Sequence, residues 1–208
     1  MEAMWTRFLP QTDVIRQLLA DGALGEVITV LADHGQSFEF DPNGRLFNPA
    51  LAGGALLDLG VYPISFASFV LGSPDQVLAM GSLTSTGVDA QVAAVLTSGS
   101  AQAVLNTTML ARTPTTASIS GSSACLEISG PFYGPGVLTL TAGEDNRLVR
   151  DVDGISGHHG LCFEAAHFAT LIAQGATESP LLPLDETVAV LRTVDRIRQE
   201  LGVVYPGE

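Results

Sequence analysis

The spacing of hydrophobic positions changes along this chain, and the changes divide it into elements. From Pro10, the run Gln11 to Ala20 sets Val14, Ile15, Leu18 and Leu19 on one helical face, and Asp21-Gly22 ends it. The residues ahead of it, Glu2 to Phe8, read as a short extended segment. Glu26 to Asp33, with Val27, Ile28, Val30 and Leu31, reads as a strand, and Gln36 to Pro49 has the Asp, Pro, Asn and Gly content of a loop. Gly53-Gly54 then opens a long apolar segment, Ala55 to Leu71. Its length and composition predict a buried helix, perturbed where Pro63 lacks a backbone donor. A block of β-rich runs follows: Gln76 to Thr84, Asp89 to Leu96, Ala101 to Leu110, Thr116 to Gly121, Cys125 to Ser129, Val137 to Ala142 and Arg147 to Asp151. Short polar or glycine-containing turns separate them, at lengths suited to antiparallel neighbours. Two amphipathic helices complete the pattern, Leu161 to Gln174 and Leu184 to Leu201. In the second, Val188, Val190, Leu191, Val194 and Ile197 stand against Arg192, Arg196 and Arg198.

Helices, then strands, then helices predict an α+β fold with one large, mostly antiparallel, open-faced sheet covered by helices on one face. The 208 residues are expected to form a single domain, 1–208. No helix is left for the other face, so it is expected to pair with a second copy in a homodimer. Composition narrows the partners. With 46% hydrophobic and 15% charged residues the chain suits a compact core. A net charge of −13 and the absence of any Lys/Arg run argue against nucleic acid. Apolar stretches such as Ile64 to Leu71 fall short of the ~20 residues that cross a bilayer, and Met1-Glu2-Ala3 opens no signal peptide. No membrane partner and a cytoplasmic location are therefore expected. Cys125 and Cys162 lack CxxC spacing, and His158, His159 and His167 lack a matching carboxylate set, so no metal site is expected.

Asp58 and Tyr62 interrupt the apolar helix four residues apart, which on an α-helix puts them on one face a turn from each other. A carboxylate there is costly unless it is paired or faces a cavity. A phenol beside it can exchange a proton with a substrate hydroxyl or carbonyl, worth about 10² to 10⁴ in rate. The same spacing also suits a core tyrosine with a capping carboxylate, and spacing alone does not choose. Trp5, the single tryptophan, could line a pocket, and His34, Phe38 and Phe40 lie just beyond the first strand, where binding loops sit.

Three stretches carry a resemblance: Glu2-Ala3-Met4-Trp5-Thr6-Arg7-Phe8-Leu9-Pro10, Asp21-Gly22-Ala23-Leu24-Gly25-Glu26, and Gly53-Gly54-Ala55-Leu56-Leu57-Asp58-Leu59-Gly60-Val61-Tyr62-Pro63. With Gly87-Val88-Asp89 and the closing Gly202-Val203-Val204-Tyr205-Pro206, they resemble the C-terminal half of the glucose-fructose oxidoreductase, inositol dehydrogenase and MocA family, in its dihydrodiol dehydrogenase and xylose dehydrogenase branch. The resemblance implies a fold like the C-terminal domain of glyceraldehyde-3-phosphate dehydrogenase, and an NADP- or NAD-dependent oxidoreductase acting on a sugar, polyol or cyclic diol. By it, Tyr62 exchanges the proton, Asp58 positions it, Trp5, His34 and Phe38 contact the substrate, and Arg7 lies near the cofactor. The family's nucleotide-binding domain and its Glu-Lys-Pro motif have no counterpart in these residues, and the chain contains no lysine. It is thus expected to be the substrate and dimerisation half of a two-domain enzyme, inactive alone. The alternative is a non-catalytic dimerising or sugar-binding module. Asp58 and Tyr62 favour the enzyme.

Overall fold

A computed structural model describes residues 1–143, 146–151 and 154–208. The helices are α1 (Pro10–Ala20), α2 (Val61–Leu71), α3 (Leu161–Gln174) and α4 (Leu184–Leu201). The strands are β1 (Val27–Gly35), β2 (Gln76–Leu83), β3 (Asp89–Ser98), β4 (Ala101–Thr108), β5 (Ala117–Gly121), β6 (Cys125–Ile128), β7 (Val137–Ala142) and β8 (Asn146–Asp151). They form one sheet in the order β2-β3-β4-β1-β5-β6-β7-β8, so the mostly antiparallel α+β fold is observed. β1 is the exception, pairing with β4 in parallel. The strands therefore do not all neighbour in chain order. A hairpin is legible in its turn, whereas insertion of β1 after β4 depends on residues some 70 apart meeting, for which no local signal exists.

The chain divides into two compact units, Met1–Ile28 with Thr116–Ala189 and Thr29–Thr115 with Val190–Glu208. In the first, α1 begins at Pro10, whose fixed φ suits the first helical turn. Residues expected to be extended ahead of it instead form a 3-10 turn, Trp5–Phe8, with all four residues buried. Tertiary bonds outweigh the extended tendency: the Thr6 hydroxyl donates to the Tyr133 carbonyl at 2.9 Å, and the Thr12 hydroxyl reaches the Thr6 carbonyl. The buried Gln11 amide donates to the carbonyls of Phe132 and Gly134 and accepts from the Gly136 N–H, tying the β6–β7 loop to α1.

In the second unit, alternation along β3 and β4 buries Val92, Ala94, Leu96, Ala103 and Leu105 on one face. Leu56, Gly60, Pro63 and Ile64 from the apolar segment, and Ile197 from α4, pack over that face. The stripe of α4 that is buried is Val190, Thr193, Val194 and Ile197, at helical spacing, while Val188 and Leu191 remain exposed, contrary to the expected apolar face. Arg198, expected among the solvent-side arginines, instead lies over the Tyr205 ring at 4.8 Å.

The expected helix over 55–71 is not uniform. Leu56–Gly60 is a π-helical turn, and the regular α-helix begins only at Val61. The perturbation thus precedes Pro63 rather than following it, because a proline withholds its N–H from the carbonyl four residues earlier, here Leu59. Gly60 permits the close approach to β4, since a Cβ there would lie 3.0 Å from both Leu56 Cδ1 and Thr107 Cγ2. By length and composition Pro49–Leu71 could cross a membrane, with mean hydropathy 1.6, yet 56% of that window is buried inside the protein and the segment is broken into three pieces.

Candidate functional site

Asp58 lies in the π turn and Tyr62 one residue into α2. The four-residue interval spans a change of helical pitch, so the simple α-helical argument for a shared face does not transfer unaltered. A π turn inside an α-helix often marks a functional position. Both side chains are partly exposed, unlike Leu56, Leu59, Pro63 and Ile64 around them.

The Leu59 carbonyl, to which Pro63 has no N–H to donate, faces His34 Nδ1 at 3.1 Å. That contact requires a proton on Nδ1. His34 Nε2 lies 3.1 Å from the Gln36 side-chain nitrogen, so it accepts from the amide. Burial lowers the His34 pKa, against the opposing pull of the Leu59 carbonyl, Asp58 and Asp33, which keeps the ring neutral near pH 7. Its edge meets the Tyr62 ring, with centroids 5.3 Å apart and planes at 75°. His34 is therefore not a loop residue beyond the strand: it lies within β1, 2% exposed. A ring this enclosed offers a ligand almost no surface, and its place is behind the tyrosine.

Asp58, 25% exposed, accepts from Arg45 Nη1 at 2.7 Å. The pairing was not legible beforehand, because Arg45 sits in a loop without periodicity. Phe38 is half-buried, packed on the cluster of Phe47, Ala55 and Leu59 beneath the π turn, and Phe40 meets the Phe47 ring edge-on at 5.0 Å.

Trp5 and Arg7 belong to the first unit. Trp5 is buried, with its ring 6.1 Å from Tyr133 and 6.2 Å from His158. Neither partner was paired with it from sequence, since over a hundred residues intervene. Arg7 is 3% exposed and ion-paired with Glu186. Burial and the neighbouring Arg16 push its guanidinium down to about 10, still protonated at neutral pH. Among the described residues no group of three or more His, Cys, Asp or Glu gathers as a metal set.

Residues 13–127 match the family described as the GFO/IDH/MocA C-terminal domain. The chain belongs to the GFO/IDH/MocA family. Among its curated relatives in that family, trans-1,2-dihydrobenzene-1,2-diol dehydrogenase of Xenopus tropicalis is 34% identical over 212 residues, 99% of this chain and 64% of the relative. The same enzyme of Macaca fuscata fuscata is 32% identical over 214 residues, again covering 64% of its length. The chain thus spans about two thirds of these relatives. The aldose-aldose oxidoreductase of Caulobacter crescentus, solved with glycerol, superposes with a TM-score of 0.80 at 25% identity over 94% of this chain and 59% of that one. The GFO/IDH/MocA fold is thereby shown.

The family implies a nicotinamide dinucleotide. The described residues of this GFO/IDH/MocA chain fit its phosphates poorly. The Leu56 amide at the start of the π turn is taken by the Asp89 carboxylate, which would repel a phosphate there, and Arg7 is committed to Glu186. What the site does supply is a phenol, a carboxylate and a neutral imidazole supporting the phenol.

Proposed function

We propose that this chain is the substrate and proton-transfer half of a NADP- or NAD-dependent oxidoreductase acting on a sugar, polyol or cyclic diol. The observation that carries the reading is the partly exposed pair Asp58 and Tyr62 at the π–α junction of a family member whose curated relatives are diol dehydrogenases. A nicotinamide held by a further domain would exchange hydride with the substrate carbon. This chain handles the proton. In the direction of carbonyl reduction, Tyr62 Oη gives its proton to the substrate oxygen; in the oxidation of an alcohol it takes that proton back. Asp58, oriented by Arg45, accepts a hydrogen bond from a neighbouring substrate hydroxyl. Phe38, half-buried beside the π turn, supplies apolar contact for the substrate. We assign His34 to support Tyr62 from behind, and Arg7 to the fold of its own unit.

The test is turnover in the chain joined to a family nucleotide-binding domain, with aldoses and trans-dihydrodiols as substrates. Tyr62→Phe should lower kcat by about 10² or more. Full turnover in that variant would remove Tyr62 from the role, and sugar binding without any dinucleotide-dependent turnover would favour the non-catalytic module.

We further propose that the open sheet face pairs with a second copy. In the second unit Leu78, Val95, Val104 and Leu31 stand in one row across four strands, and Leu78 and Met80 are 66% and 80% exposed. An apolar row on an uncovered face favours a self-complementary contact. Leu78→Glu should convert a dimer into a monomer in sedimentation equilibrium; a monomeric parent protein would refute the pairing.

A further inference from the structure

Gly53-Gly54, Val88-Asp89, and Val203 with Tyr205, far apart in the chain, meet at the start of the π turn. Asp89 is fully buried, and its Oδ2 accepts the Leu56 N–H at 2.6 Å. The turn has no capping side chain of its own, so this carboxylate from β3 satisfies a donor that a helix start leaves without a partner. Gly54 has φ 126°, and a Cβ there would lie 2.2 Å from Asp89 Oδ1, so the approach requires glycine. On the other side of the hinge, the Tyr205 hydroxyl donates to the Gly53 carbonyl at 2.6 Å. The Tyr205 ring is held in turn by Arg198, which binds both Glu208 carboxylate oxygens at 3.1 and 2.9 Å. Val203 and Tyr205 pack in one cluster with Ala55, Leu59 and Val88. Gly53 and Gly54 are the residues about which the turn would swing most easily, and a tertiary bond stands on each side of them.

We propose that Asp89 and Tyr205 are positioning residues: together they clamp the Gly53-Gly54 hinge and so fix the direction in which the π turn presents Asp58 and Tyr62. This rests on the proton-transfer reading of Tyr62 given above. The electrostatics agree with a closed site. Burial raises the Asp89 pKa, and burial together with the nearby Asp89 pushes the Tyr205 phenol up to about 12.

The 208-residue chain itself provides the test. Amide hydrogen exchange across Leu56 to Tyr62, and the pH titration of a ¹³C-labelled Tyr62 phenol, are measured in Tyr205→Phe, Asp89→Ala and Asp89→Asn. Tyr205→Phe removes one oxygen and should speed exchange at 56–60 at least tenfold while leaving β4 protected; the Tyr62 titration should shift with it. Asp89→Ala should do the same or more, and Asp89→Asn, which keeps an oxygen acceptor, should restore most of the protection. If Asp89→Ala does not fold, Tyr205→Phe alone decides. Parent-like exchange at 56–62 with an unmoved Tyr62 titration in Tyr205→Phe overturns the clamp. The proton-transfer reading fails separately, through undiminished turnover of Tyr62→Phe, and that result leaves the exchange measurement intact.

Discussion

Two arginine–carboxylate pairs put the same chemistry to opposite uses. The two carboxylates are alike, Glu186 26% and Asp58 25% exposed, but in the first unit Arg7 is 3% exposed and in the second Arg45 is 66% exposed. A buried ion has given up its hydration and depends on its partner, whereas an exposed pair is continually replaced by water. The enclosed arginine therefore belongs to the fold, whereas the exposed one is held only by a pair that water competes for. Residue type alone does not distinguish the two arginines; burial does.

The strongest attempt to break the contrast is Arg7→Met, which strands Glu186. We expect a loss of about 3 kcal/mol in urea unfolding, near the lower end of what breaking a buried pair costs because Glu186 is partly exposed. Adding Glu186→Leu should recover much of it; a loss below about 1 kcal/mol would show that the pair is not structural. Next in size is the effect of pH through His34, another enclosed group. Its folded pKa lies below 6.5, so the unfolded chain binds the extra proton first as pH falls. Stability should be full above pH 6.5 and decline below it, by at most about 1.4 kcal/mol per pH unit. His34→Gln should flatten that slope, and an unchanged slope would contradict the buried neutral ring. Asp89 works in the opposite sense, since its raised pKa costs stability as pH rises above 3.8, so only the difference between parent and His34→Gln isolates the histidine. The smallest expected change in stability is that of Arg45→Met, under about 1 kcal/mol. On the proposed function, the same variant in the chain joined to a family nucleotide-binding domain should raise KM several-fold as Asp58 loses its orienting partner. An unaltered KM would show that Arg45 is only a surface residue.

Much of the fold was legible because its signals are local. Every strand after α2 was bracketed to within two residues, since alternation and turn residues are written in consecutive positions. Asp58 and Tyr62 stood out because polar groups are conspicuous in an apolar segment. The errors have a common cause. Trp5–Phe8 coils into a 3-10 turn because Tyr133 and Thr12 hold Thr6, and His34 is enclosed within β1, bonded to the Leu59 carbonyl of a segment 25 residues further along the chain. In each case a bond between distant residues prevailed over the local tendency.

By itself, then, the order of residues determined the α+β class, the helix and strand inventory and the two groups proposed to carry chemistry, because period and residue type act over a few neighbouring positions. The tertiary structure alone decided that β1 lies beside β4, that the segment before α2 winds into a π turn, and that Asp89 and Tyr205 grip its hinge. It also decided which arginine is sealed and which faces water. Those outcomes depend on burial and on hydrogen bonds between groups many residues apart, quantities that exist only once the chain has closed on itself.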